Sequence, residues 1–105
     1  MKKKRVYLSA PISGYDLEER TETFMKMEVN LRGRGYDTFN PMGDHWKDGA
    51  TTYDYMKKDL KELLECDAIL LMNGWQRSAG CKCGLEVAVS IGIDVWFEGM
   101  ETVTL

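Results

Sequence analysis

Between Asp67 and Gly92 the sequence reads DAILLMNGWQRSAGCKCGLEVAVSIG. Ala68 to Met72 is an unbroken apolar run of strand length, Asn73 to Ala79 is a polar loop containing glycine, and a helix is expected from Gly80 to about Ile91. In an open parallel sheet built from strand-loop-helix units, the ligand crevice lies outside the carboxyl ends of the strands. Loop amides and a helix N-terminus can hold an anion or a polar ligand there. This stretch therefore constrains both the fold and the place where a site would form.

The rest of the chain repeats the alternation. Val6 to Ser9 reads as a strand, followed by the loop Ser9-Ala10-Pro11-Ile12-Ser13-Gly14, whose hydroxyls and amides can face a ligand. That loop lacks the full glycine spacing of a dinucleotide fingerprint, so by itself it reads as an ordinary strand-to-helix turn. Leu17, Thr21, Phe24, Met27 and Leu31 fall on one face of an amphipathic helix that ends at Gly33 and Gly35. Tyr36 to Asn40 is a second strand, stopped by Pro41. The segment Pro41 to Thr51 is a loop long enough to reach over a site. Its His45 reads equally as a catalytic or a hydrated residue, and its Trp46 as a ligand-stacking or subunit-contact residue.

Thr51 and Asp54 form a capping-box pattern with aspartate in place of the usual glutamate. The helix that follows should line up Tyr53, Met56, Leu60, Leu63 and Leu64, with Asp59 at the border of that apolar face. At such a border a carboxylate is either an ion-pair partner of Lys58 or Lys61 or a group reaching into a crevice. Asp94 to Glu98 is a fourth strand, and Met100 to Leu105 is a frayed tail or an edge strand.

The order β-α-β-α-β-α-β implies an α/β, flavodoxin-like (Rossmann-like) three-layer fold in a single domain over residues 1–105. Its parallel sheet has four to five strands in the order 2-1-3-4. In that topology the first helix lies alone on one sheet face and the other two share the opposite face. One helix does not cover four strands, and parallel sheets are normally buried on both faces. A homodimer or higher homo-oligomer, or a C-terminal segment folded back, is therefore expected.

Composition limits the partners. With 44% hydrophobic and 30% charged residues the chain is of ordinary globular type, and no apolar run approaches the roughly 18 residues needed to span a bilayer. A net charge of −3 and a pI near 5.1 argue against a nucleic-acid polymer as partner. Lys2, Lys3, Lys4 and Arg5 read as a solvated lead-in to the first strand. The apolar segment after them ends at Pro11 and Gly14, too soon for a secretory signal, so a cytoplasmic protein with reduced thiols is expected. Cys81-Lys82-Cys83 reads as small-residue helix packing. A zinc site needs about four ligands, and the single histidine is far away in sequence. Neither metal nor cofactor is expected.

Taken together, YLSAPISG near the start, KDL in the second long helix, and a third strand leading to W-x-x-S-x-G-C and a glutamate-bearing helix resemble a known group. It is a small family related to the nucleoside 2-deoxyribosyltransferases and the deoxynucleoside-monophosphate N-glycosidases. The resemblance runs from Val6 to about Phe97. It implies cleavage or transfer at the N-glycosidic bond of a deoxynucleoside or its monophosphate, a small-molecule ligand. In such enzymes a helix glutamate attacks the anomeric carbon, and an aspartate from the preceding helix supports the sugar or a proton transfer. The transition state is oxocarbenium-like, so a nearby carboxylate can stabilise or trap it while an acid protonates the leaving base. By position the resemblance implies Glu86 and Asp59 as catalytic residues. Tyr7 and Ser9 would line the sugar or base pocket, with Pro11, Ser13, Gly14, Asn73 and Trp75 beside them, and Ser78 with Gly80 would meet a phosphate or a sugar hydroxyl.

The chain departs from the pattern at the nucleophile. The glutamate is expected six residues after Ser78, where Gly84 stands, and Glu86 lies two further on. Two residues are about 200° of helix, so with Cys81, Leu85 and Ala88 toward the sheet Glu86 points away from the crevice unless the first turn is distorted. The alternative is a non-catalytic nucleotide or nucleotide-sugar binding module in which Glu86 is a solvated carboxylate.

Overall fold

A computed structural model describes residues 2–43 and 49–100; His45, Trp46 and the tail after Met100 lie outside the described residues. Four strands, β1 (Arg5–Ser9), β2 (Asp37–Phe39), β3 (Ala68–Leu71) and β4 (Asp94–Phe97), alternate with three helices, α1 (Leu17–Gly33), α2 (Thr52–Leu64) and α3 (Ala79–Ile91). All neighbouring strands are parallel, in the order β2-β1-β3-β4. This is the flavodoxin-like arrangement that the alternation implies.

Local chemistry fixes the ends of these elements. Asp16 caps α1 by accepting the Glu19 N–H at 3.0 Å, and Ser78 caps α3 by accepting the Cys81 N–H at 3.1 Å. The Asp54 carboxylate accepts from both the backbone N–H and the hydroxyl of Thr51, which starts α2. Asn40 Oδ1 accepts the Met42 N–H at 2.8 Å and turns the chain just after β2. The helix expected from Gly80 begins one residue earlier, because Ser78 takes the cap position.

Alternate residues of the central strands feed two cores. On one face Val6, Leu8, Ala68, Leu70 and Trp96 pack with Phe24 and Leu31 of α1. On the other, Tyr7, Ile69 and Leu71 pack with Leu63 of α2 and with Cys81 and Ala88 of α3. So α1 does lie alone on its face. Within the chain Trp96, only 3% exposed, covers part of what α1 leaves open, meeting Tyr36 edge-on at 5.2 Å between ring centroids. Lys4 Nζ stands 5.8 Å from the centre of the Trp96 ring and pairs with Asp94 at 2.8 Å. Arg5 pairs with Glu62 at 3.3 Å. The end of the basic lead-in thus ties β1 to β4 and α2 rather than merely carrying charge into solvent.

One face assignment needs correction. Leu63 is buried and Met56 and Leu60 are half-buried, but Tyr53 and Leu64 are exposed. At about 100° per residue, Asp59 lies only about 40° from Leu63 around α2, whereas Tyr53 and Leu64 lie about 80–100° away on the other side. The inward arc therefore runs through Asp59, which is 8% exposed.

Candidate functional site

At the carboxyl end of β1, on the face covered by α2 and α3, the structure leaves a chamber of about 40 Å³. Its polar lining comes from Tyr7 and Ser9 of β1, Asp59 of α2, and Ser78 and Cys81 at the start of α3. Leu60, Leu63 and Met56 supply apolar wall, and Gly80 and Gly84 supply bare backbone. The periodicity of β1 puts Tyr7 and Ser9 on the same side of the sheet, and the arc of α2 brings Asp59 down to meet them.

The chamber's groups are mostly neutral. Burial pushes the Tyr7 phenol well above its ordinary value and the nearby Asp59 carboxylate adds to the rise, so Tyr7 keeps its proton. Burial also raises the Cys81 thiol, against hydrogen bonds from the Ser78 and Ser9 hydroxyls that act the other way. Among the described residues that line the chamber, Asp59 is the only carboxylate.

A second space adjoins the first. It is a groove of about 280 Å³ lined by Pro11, Ile12, Ser13, Tyr15, Thr51, Tyr53, Arg77, Ser78 and Ala79. Ile12 and Ser78 line both spaces. Tyr15 and Tyr53 are exposed, and Arg77 brings a cation to the rim.

The loop that carries Pro11 and Ser13 is held from two sides. Arg20, 9% exposed, donates from Nη1 to the Pro11 carbonyl at 3.0 Å and stacks over the Tyr15 ring at 4.9 Å. Its remaining nitrogens grip Glu19 at 2.7 and 2.8 Å, and this pairing, with a further hydrogen bond from Thr23, holds the Glu19 carboxyl down at about 2. From the other side Gly74, at a φ of 91°, sits so near Pro11 that a β-carbon there would lie 3.3 Å from the proline Cγ. A residue other than glycine is disfavoured there twice, by backbone conformation and by space.

The residues expected at the site are thus divided. Tyr7, Ser9, Asp59, Ser78 and Gly80 line the chamber, and Pro11 and Ser13 line the groove. Gly14 lines neither; its φ of 83° serves the turn in which Tyr15 N–H donates to the Ile12 carbonyl. Asn73 and Trp75 face a separate depression beside β4, where Trp75 meets Phe97 and the Asn73 N–H donates to Glu98 at 2.8 Å. Glu86 is exposed and lines neither space, because α3 is helical from Ala79 and Gly84 takes the inward position. Cys81, expected only as helix packing, also lines the chamber, and Tyr15, Arg20, Thr51, Tyr53 and Arg77 are not foreseen. No motif marks them, and the capping role of Thr51 gave no hint that it also reaches a groove.

Among the described residues no group of three or more His, Cys, Asp or Glu is placed to hold a metal, and no helix is long and apolar enough to cross a membrane. Fold and chamber together define a small parallel α/β protein with a polar pocket outside the carboxyl end of its first strand. Residues 4–97 match the family described as a domain of unknown function, DUF4406, and the chain belongs to that family. No curated protein matches it.

Proposed function

We propose that this protein acts on the N-glycosidic bond of a deoxynucleoside or a deoxynucleoside monophosphate, the bond acted on by the nucleoside 2-deoxyribosyltransferases and deoxynucleoside-monophosphate N-glycosidases it resembles. The observation that carries the reading is the buried Asp59 carboxylate gathered with Tyr7, Ser9 and Ser78 beside a groove of nucleoside-compatible size. Cleavage of this bond builds positive charge on the sugar, and a carboxylate on that side can stabilise it or draw a proton from an attacking water. Hydroxyls on both sides suit a sugar, and the exposed rings of Tyr15 and Tyr53 suit a base.

The exposure of Glu86 favours a second reading, a binding module that holds a nucleotide or nucleotide sugar without turning it over. One experiment separates the two. The purified protein is incubated with the four deoxynucleosides and their 5′-monophosphates, and base release is followed by chromatography alongside Asp59→Asn and Glu86→Gln variants. Release that falls in Asp59→Asn and persists in Glu86→Gln supports the enzyme. Thermal stabilisation by a panel member without release supports the binding module. Neither release nor stabilisation removes both.

A further inference from the structure

Building on that reading, we infer that the bond is cleaved by direct attack of water, with Asp59 as the general base, and not through a sugar bound covalently to the protein. A chamber of about 40 Å³ is too small for a nucleoside but has room for a few water molecules, each needing about 10–15 Å³. Among the described residues its lining is polar enough to keep them, with the Asp59 carboxylate, the Tyr7 phenol and the Ser9 and Ser78 hydroxyls. The groove outside, about 280 Å³, suits the sugar and base. Asp59 lines the chamber and not the groove. A substrate seated in the groove would therefore have the chamber between it and Asp59, where the two spaces share Ile12 and Ser78.

Attack by a side chain needs an approach of about 3–3.5 Å to the anomeric carbon, whereas attack through water needs a carboxylate set back by one solvent layer. The chamber provides that setback. The water oxygen bonds to the anomeric carbon and gives a proton to the Asp59 carboxylate. The bond from that carbon to the base nitrogen breaks, its electron pair goes to the base, and the base takes a proton from solvent through the open groove. The products are the free base and 2-deoxyribose, or its 5-phosphate.

The test is stereochemical. Natural substrates are β-nucleosides, so a single displacement yields the α-anomer of the sugar first. Proton NMR of early time points, before the anomers equilibrate, reads this directly. A second, labelled free base in the mixture reads exchange. The expected result is α-anomer with no label entering nucleoside, and a fall of about 10²–10⁴-fold in rate for Asp59→Asn with its circular dichroism unchanged. First formation of the β-anomer, entry of label, or an undiminished rate in Asp59→Asn overturns the inference while leaving the N-glycosidic reading intact. If Asp59→Asn does not fold, the anomer and exchange results on the unaltered protein still decide. Absence of base release from the whole panel removes the reading and this inference with it.

Discussion

A β-carbon on Gly84 would lie 3.3 Å from Ile69 Cδ1 and 3.8 Å from Leu63 Cδ2, so α3 rests on β3 at a distance that only glycine allows without adjustment. Ile69 is fully buried and has little room to give way. Gly84→Ala gains up to about 1 kcal/mol in helix propensity but overpacks the contact at a cost of about 1–3 kcal/mol. A net destabilisation of about 1 kcal/mol is expected from urea unfolding. Gly84→Glu, which adds a second carboxylate beside the chamber of Asp59, should cost more. A variant Gly84→Ala more stable than the parent would show that Ile69 moves freely.

Removing Arg20 takes a buried donor from the Pro11 carbonyl and a stacking partner from Tyr15. Arg20→Ala should lower stability by about 1–3 kcal/mol and should also weaken ligand binding in the groove that Pro11 and Tyr15 line. Denaturation and ligand titration on the same variant separate the two effects. A stable variant with unchanged binding would mean that the loop is held by Gly74 and Pro11 alone.

The Glu19 carboxyl is held at about 2 against an ordinary 4.5, chiefly by Arg20. Its folded value is depressed, so its contribution is fully present above about pH 4.5 and is lost as the pH falls from there toward 2. Glu19→Gln should therefore flatten the acid limb of a stability-against-pH curve in that window and leave the limb above pH 5 unchanged. Because Glu19 is exposed, the effect is expected to be small and to shrink in salt.

Thiol labelling should be ordered. Cys66, pushed up to about 11 by burial, and Cys81, also raised by burial, are shielded thiols, whereas Cys83 is half-buried. Iodoacetamide at pH 8 should modify Cys83 first in the native protein and all three cysteines after denaturation, as read by peptide mass spectrometry. Rapid native labelling of Cys81 would mean that the chamber opens far more widely than its static walls suggest.

Phe24 is fully buried between α1 and the sheet, on the face with a single helix. Phe24→Ala should cost about 3–5 kcal/mol in unfolding free energy. Tyr53→Ala, at a site 71% exposed, should change stability by less than about 0.5 kcal/mol while weakening any ligand whose base stacks in the groove. Equal binding by the Tyr53 variant would remove stacking from the account of the groove.

The sequence by itself determined the alternation of elements and hence the sheet order, because strand length, glycine stops and the caps at Asp16, Thr51 and Ser78 are all local signals. It also placed Tyr7 and Ser9 on one side of β1, since a strand repeats every two residues. Tertiary structure alone decided the rest. On α2 the apolar spacing allowed an arc through Tyr53 and Leu64, and only packing against β1 and α3 turned the helix so that Asp59 points inward and those two face solvent. The loop after β3 looked like one site wall, yet its first residues, Asn73 and Trp75, turn toward β4 while Ser78 turns toward β1. A local pattern records which face of its own element a residue occupies. It carries no record of which neighbour that face will meet, and the chamber is made of such meetings.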